Sequence, residues 1–152
     1  MKAYHDTLRI ERDFSASPET LYKAMTTLEG RLNWFYGPEG WVREEQTLDF
    51  RVGGKETMKG AFNGVVPTSY TATFYDIVEG ERFITCFDVT LDNVLFSVSL
   101  ATTEIQKTET GAKLIFTEQL TYVNAPDGKK AHEGRYFGTN MHFDRLEAYL
   151  SQ

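Results

Sequence analysis

The chain has 152 residues and a formal charge of −6, with acidic and basic side chains interspersed and no basic run. That balance argues against a protein that grips a phosphate backbone, so no nucleic-acid partner is expected. A single cysteine, Cys86, excludes an intrachain disulfide and a cysteine zinc site. No apolar stretch approaches membrane-spanning length, and Met1 to Asp6 carries no apolar signal-like run. No membrane insertion and a cytoplasmic location are therefore expected.

A chain of this length is expected to form one domain over residues 1–152, hiding about 70% of the surface that its unfolded form exposes. Leu8 to Phe14 reads as a first strand, with Leu8, Ile10 and Phe14 on one face. Ser17-Pro18-Glu19 is a helix start: serine caps, proline suits the first helical position, and glutamate meets the positive end of the dipole. Leu21, Tyr22, Met25 and Leu28 follow at helical spacing. A second short helix is predicted over Arg31 to Phe35, ended by Gly37-Pro38-Glu39-Gly40.

Beyond Trp41 the rhythm becomes that of strands. Leu48, Phe50 and Val52 alternate with Asp49 and Arg51 up to Gly53-Gly54, where the chain must turn sharply or let another backbone come close. Lys55 to Phe62 ends at Asn63-Gly64, a hairpin signal. Ser69 to Val78 and Arg82 to Thr90 form a tight antiparallel pair around Glu79-Gly80-Glu81. Val94, Phe96, Val98 and Leu100 alternate, as do Leu114, Phe116, Leu120 and Tyr122, with a turn at Thr108 to Gly111 between them. The loop Asn124 to Gly128 precedes a terminal helix bearing Thr139, Phe143, Leu146 and Leu150 on one face. Gly134 and Gly138 weaken its first turns, which places the firm helix from about Gly138. The pattern is α+β: a curved antiparallel sheet of six or seven strands wrapped around a long C-terminal helix, with two short helices after strand 1.

These segments resemble the START-like, helix-grip superfamily known as SRPBCC. Within it they are most similar to bacterial proteins related to the activator of the ninety-kilodalton heat-shock chaperone's ATPase. The carriers are Ser17-Pro18-Glu19 with Leu21 and Tyr22, Trp34-Phe35, and Asp49, Arg51, Gly53 and Gly54. Asp76-Ile77, Glu81-Arg82-Phe83, Gly111 before Leu114, and Asp144-Arg145-Leu146 complete them. The resemblance runs from about Leu8 to Leu150 and implies a fold with several functions: binding of lipids or other apolar ligands, action on polyketides, and chaperone stimulation. One departure stands out, since many relatives carry Gly-Trp where this chain has Gly138-Thr139. A threonine there enlarges a pocket unless other side chains fill the space.

Glu118 is the sharpest local anomaly, because alternation points it to the same face as Leu114, Phe116 and Leu120. It reads either as a ligand-orienting or acid–base carboxylate, or as the structural partner of an arginine. Asp49 and Arg51 pair with each other or with a neighbouring strand, or Arg51 meets an anionic ligand group. His5, His132 and His142 lack metal-ligand spacing, so no metal and no cofactor are expected. Cys86, inside a strand, reads as a buried structural thiol. Trp34, Phe35, Tyr36 and Trp41 either gate a site or cap the open end of the sheet.

The leading expectation is a protein that encloses a small apolar or amphipathic molecule between sheet and last helix. The expected ligand-facing residues are Trp34, Arg51, Tyr70, Phe74, Phe96, Phe116, Glu118, Thr139, His142, Phe143 and Leu146. The alternatives are a cyclase-type enzyme using Glu118 as acid or base, and a protein-interaction module, either a homodimer or a partner of the chaperone.

Overall fold

The computed structural model describes residues 2–152. In chain order it comprises β1 (Tyr4–Phe14), α1 (Pro18–Thr26), α2 (Leu28–Leu32), β2 (Trp41–Leu48), β3 (Lys55–Phe62) and β4 (Val66–Val78). β5 (Arg82–Leu91), β6 (Val94–Lys107), β7 (Ala112–Tyr122) and α3 (Gly128–Leu150) follow. The seven strands form one antiparallel sheet in the order β1-β7-β6-β5-β4-β3-β2. Strands β2 to β7 are joined by short turns, as antiparallel neighbours allow. The two short helices carry the chain from β1 at one edge to β2 at the other. Among the described residues no helix is long and apolar enough to cross a membrane.

The helices start where caps put them. Ser17 Oγ accepts from the Thr20 amide and opens α1, which buries Leu21, Ala24 and Met25. Thr27 Oγ1 accepts from the Gly30 amide, so α2 begins at Leu28 and ends at Leu32, three residues ahead of the stretch expected from the sequence. Asp127 likewise caps α3, accepting from the Lys130 amide, and the helix begins at Gly128, a full ten residues before Gly138. One good cap and 23 residues of helix outweigh two glycines costing about 1 kcal/mol each.

Residues 49–54 leave the strand instead of extending it. β2 ends at Leu48, and Gly53, at φ +82°, donates from its amide to the Phe74 carbonyl. Gly54 accepts from the Phe74 amide, and a Cβ added to it would lie 2.0 Å from the Asp49 carbonyl oxygen. Gly134, by contrast, faces open space. Gly54→Ala should therefore lower the urea midpoint by an amount worth about 2–3 kcal/mol, while Gly134→Ala should raise it by about 1 kcal/mol.

The sheet's concave face and α3 enclose the main core, in which Leu8, Leu21, Trp34, Leu114, Phe143 and Leu146 are buried. A smaller cluster holds Leu120, Tyr122 and Ala125, with Phe96 packed against it. Strand β6 reverses the expected facing. Ser97, Ser99, Ala101 and Thr103 are buried, whereas Val98 and Leu100 are exposed on the outer face. Cys86 lies in β5 as expected but is only half-buried, opposite Thr73 and Leu100.

Candidate functional site

Between the concave face, the segment after α2 and the inner side of α3 lies a cavity of about 200 Å³. Aromatic side chains reach it from every wall: Trp34 and Phe35 beyond α2, Tyr70 on β4, Phe83 and Phe87 on β5, Phe116 on β7 and Phe143 on α3. Phe35 and Tyr70 meet edge to face with centroids 4.9 Å apart, as do Phe116 and Phe143 at 5.6 Å, an arrangement the ring quadrupoles prefer. The space itself comes from the central strands, where Thr85, Ala101 and Thr103 point inward. Small side chains at those positions leave a gap that the usual bulky strand residues would close.

Two ion pairs are built into the walls. Arg31 donates from Nε and Nη2 to the two oxygens of Glu56, both at 2.6 Å, a bidentate arrangement. The same guanidinium lies 4.1 Å from the Phe35 centroid and 4.8 Å from that of Trp34. Glu56 is 1% exposed and Arg31 8%. The Tyr70 hydroxyl donates to Glu56 over 3.3 Å. Burial raises the Tyr70 phenol well above its ordinary range, and the Glu56 carboxylate adds to the shift.

Glu118 faces inward, as alternation required, and is 1% exposed. Its Oε2 accepts from Ser99 Oγ at 2.7 Å and from Arg135, whose other terminal nitrogen donates to Ser97 Oγ at 2.6 Å. Of the two readings of this carboxylate, the arginine pairing is present in the structure. The inward serines of β6 serve this second pair, which explains why that strand turns its polar face to the core.

Arg135, Thr139 and His142 stand at positions i, i+4 and i+7 of α3 and so share one face toward the cavity. His142 Nε2 lies 3.0 Å from the Tyr36 carbonyl, which also accepts from Arg145 at 2.6 Å. A carbonyl only accepts, so the imidazole proton resides on Nε2 and Nδ1 is left as an acceptor. Burial pushes the His142 pKa down to about 4, against the Tyr36 hydrogen bond and with help from Arg145, Arg31 and Arg135. The ring is neutral at pH 7.

Of the residues expected to face a ligand, the structure brings Trp34, Tyr70, Phe116, Glu118, Thr139, His142 and Phe143 around this cavity. The other four lie elsewhere. Phe74 and Leu146 are interior core residues, Phe74 packing on Phe50 and Phe83. Phe96 meets Tyr122 edge to face in the smaller cluster. Arg51 is exposed in the loop after β2 and pairs with Asp49 at 2.8 Å. The histidines have separate surroundings: His5 meets Thr121, and His132 sits between Tyr122 and Asp6. The aromatic segment is pinned rather than loose, with Trp34 Nε1 donating to the Ala24 carbonyl and Trp41 Nε1 to Thr68 Oγ1.

Arg31, Glu56 and Arg135 escaped the sequence reading. Glu56 carried the same signal as Glu118, since it alternates onto the face of Met58, and Arg135 stands one helical turn before Thr139.

The family model described as activator of Hsp90 ATPase homolog 1-like protein matches residues 15–151. The chain belongs to this family. Among solved structures, an uncharacterized protein from Rhizobium leguminosarum is similar at 32% identity and a TM-score of 0.89, covering 99% of this chain and 97% of that one. The Mll3558 protein from Rhizobium loti is similar at 29% identity and a TM-score of 0.86, covering 97% and 99%. The AHSA1 protein from Silicibacter pomeroyi shares the fold at 20% identity and a TM-score of 0.75, covering 96% and 98%. No curated protein matches the sequence. Within this activator-like family, then, the chain has the helix-grip fold with a space of its own between sheet and last helix.

Proposed function

We propose that this protein is a receptor for a small apolar or amphipathic molecule held between the sheet and α3. One observation carries the reading: seven aromatic side chains converge on a space of about 200 Å³ that they do not fill. Interiors normally pack to crystal-like density, and an open apolar cavity is costly unless something occupies it. Its volume exceeds the roughly 150 Å³ cavity that suffices for benzene in an engineered protein interior. A few polar groups among apolar walls are the ordinary means of orienting such a ligand.

Thr139 offers the test, because it borders the cavity where many relatives are expected to carry tryptophan. Wild-type protein should bind an uncharged naphthalene-type fluorescent dye saturably, and Thr139→Trp should weaken that binding at least about tenfold by filling the space. Phe96→Trp, placed in the smaller cluster, should leave it unchanged. Absence of saturable dye binding by the wild type would end this reading.

A further inference from the structure

We infer that the cavity selects a neutral, ring-sized molecule bearing a hydroxyl or N–H donor, and discriminates against anions such as fatty acids. The inference rests on the receptor reading above and specifies its ligand.

Charge is the first argument. The charged side chains that line the cavity are Arg31, Glu56, Glu118 and Arg135, two cations and two anions. Each guanidinium already holds its carboxylate, Arg31 in a bidentate fork and Arg135 with Ser97 as a further acceptor. An entering carboxylate would meet two guanidiniums whose charge is already balanced by buried carboxylates, and would add a third negative charge to the wall. Desolvating an anion without a counter-charge is strongly unfavourable.

Hydrogen-bond valence is the second. Among the described residues, the buried side-chain polar atoms without a partner are Gln46 Oε1 and Thr108 Oγ1, neither of them in the cavity wall. Glu118 Oε1 and His142 Nδ1 make no hydrogen bond to protein, so each must keep accessible surface, and both side chains belong to the cavity wall. Both are acceptors: the carboxylate by its charge, and the imidazole because Tyr36 holds its proton on the other nitrogen. A ligand hydroxyl can therefore donate to these two atoms, while Arg31 Nη1 and Arg135 Nε, which likewise hold no protein acceptor, can donate to its oxygen. The third argument is size and shape. About 200 Å³ bounded by aromatic rings suits one or two fused rings, not an extended acyl chain.

The test uses three probes of one shape: 2-naphthol, naphthalene and 2-naphthoate, each measured by displacement of the bound dye at pH 7. Wild-type protein should bind 2-naphthol about tenfold more tightly than naphthalene, the worth of one well-made hydrogen bond. It should bind 2-naphthoate at least about tenfold more weakly than 2-naphthol. His142→Phe keeps a ring in place, leaves the Tyr36 carbonyl its Arg145 donor, and should shrink the naphthol-to-naphthalene ratio several-fold. Equal binding of naphthol and naphthalene, or tightest binding of naphthoate, would overturn the inference while the receptor reading stands. No binding of the dye or of any probe would overturn both.

Discussion

Glu56→Ala should lower stability by about 3–5 kcal/mol, because it strands a buried guanidinium without its counter-charge. Arg31 is only 8% exposed, so water cannot replace the two 2.6 Å hydrogen bonds that the carboxylate accepts. The Tyr70 hydroxyl also loses its acceptor. For a chain of this size a loss of that order corresponds to a fall of roughly 10 °C or more in Tm. The pair is not for that reason a large net source of stability, since both ions gave up their hydration to form it. Arg31→Met combined with Glu56→Leu should therefore recover most of what Glu56→Ala loses, as apolar replacement of both partners leaves no orphan charge. Urea unfolding of the single and double variants measures this directly. A double variant as unstable as the sum of its parts would show that the guanidinium stabilises mainly through its contacts with Trp34 and Phe35.

Acid should destabilise the protein between pH 6.5 and about pH 4 through His142. Its pKa is about 4 in the folded protein and 6.5 when unperturbed, so in that window the unfolded chain binds a proton that the folded chain refuses. Stability is complete above pH 6.5 and falls as pH drops, by about 1.4 kcal/mol per pH unit, reaching roughly 3 kcal/mol at the lower end. The cause is geometric. Nε2 is committed to Tyr36, three arginines stand nearby, and protonating Nδ1 would place a cation against an apolar wall. In His142→Phe the extra acid sensitivity should vanish, and the difference in unfolding free energy between variant and wild type should change by that amount from pH 7 to pH 4. A difference independent of pH would mean that His142 accepts its second proton within the fold.

Much of the scaffold is legible locally. The cap Ser17, the loop ahead of the last helix, the turn at Asn63-Gly64 and the hairpin around Gly80 depend on neighbours a few residues away, and the chain obeys them. Strand alternation has a period of two and needs no knowledge of the partner, which is why it sends Glu118 inward correctly. Where local signals competed, a weaker one misled. Gly134 and Gly138 argued for a late helix start, but the Asp127 cap prevailed.

The site depended on contacts between distant parts of the chain. Alternation says that Val98 and Leu100 share a face opposite Ser97 and Ser99, yet not which of the two is buried. That choice follows from Glu118 and Arg135, 19 and 38 residues further on, which need the serine hydroxyls. The Arg31–Glu56 fork, the tautomer of His142 and the emptiness above Ala101 and Thr103 likewise arise from segments meeting in space. Local patterning sets which elements form and which way a side chain can point, because backbone geometry repeats over a few residues. Pairing of buried charges and the volume left between packed layers depend on the whole three-dimensional arrangement.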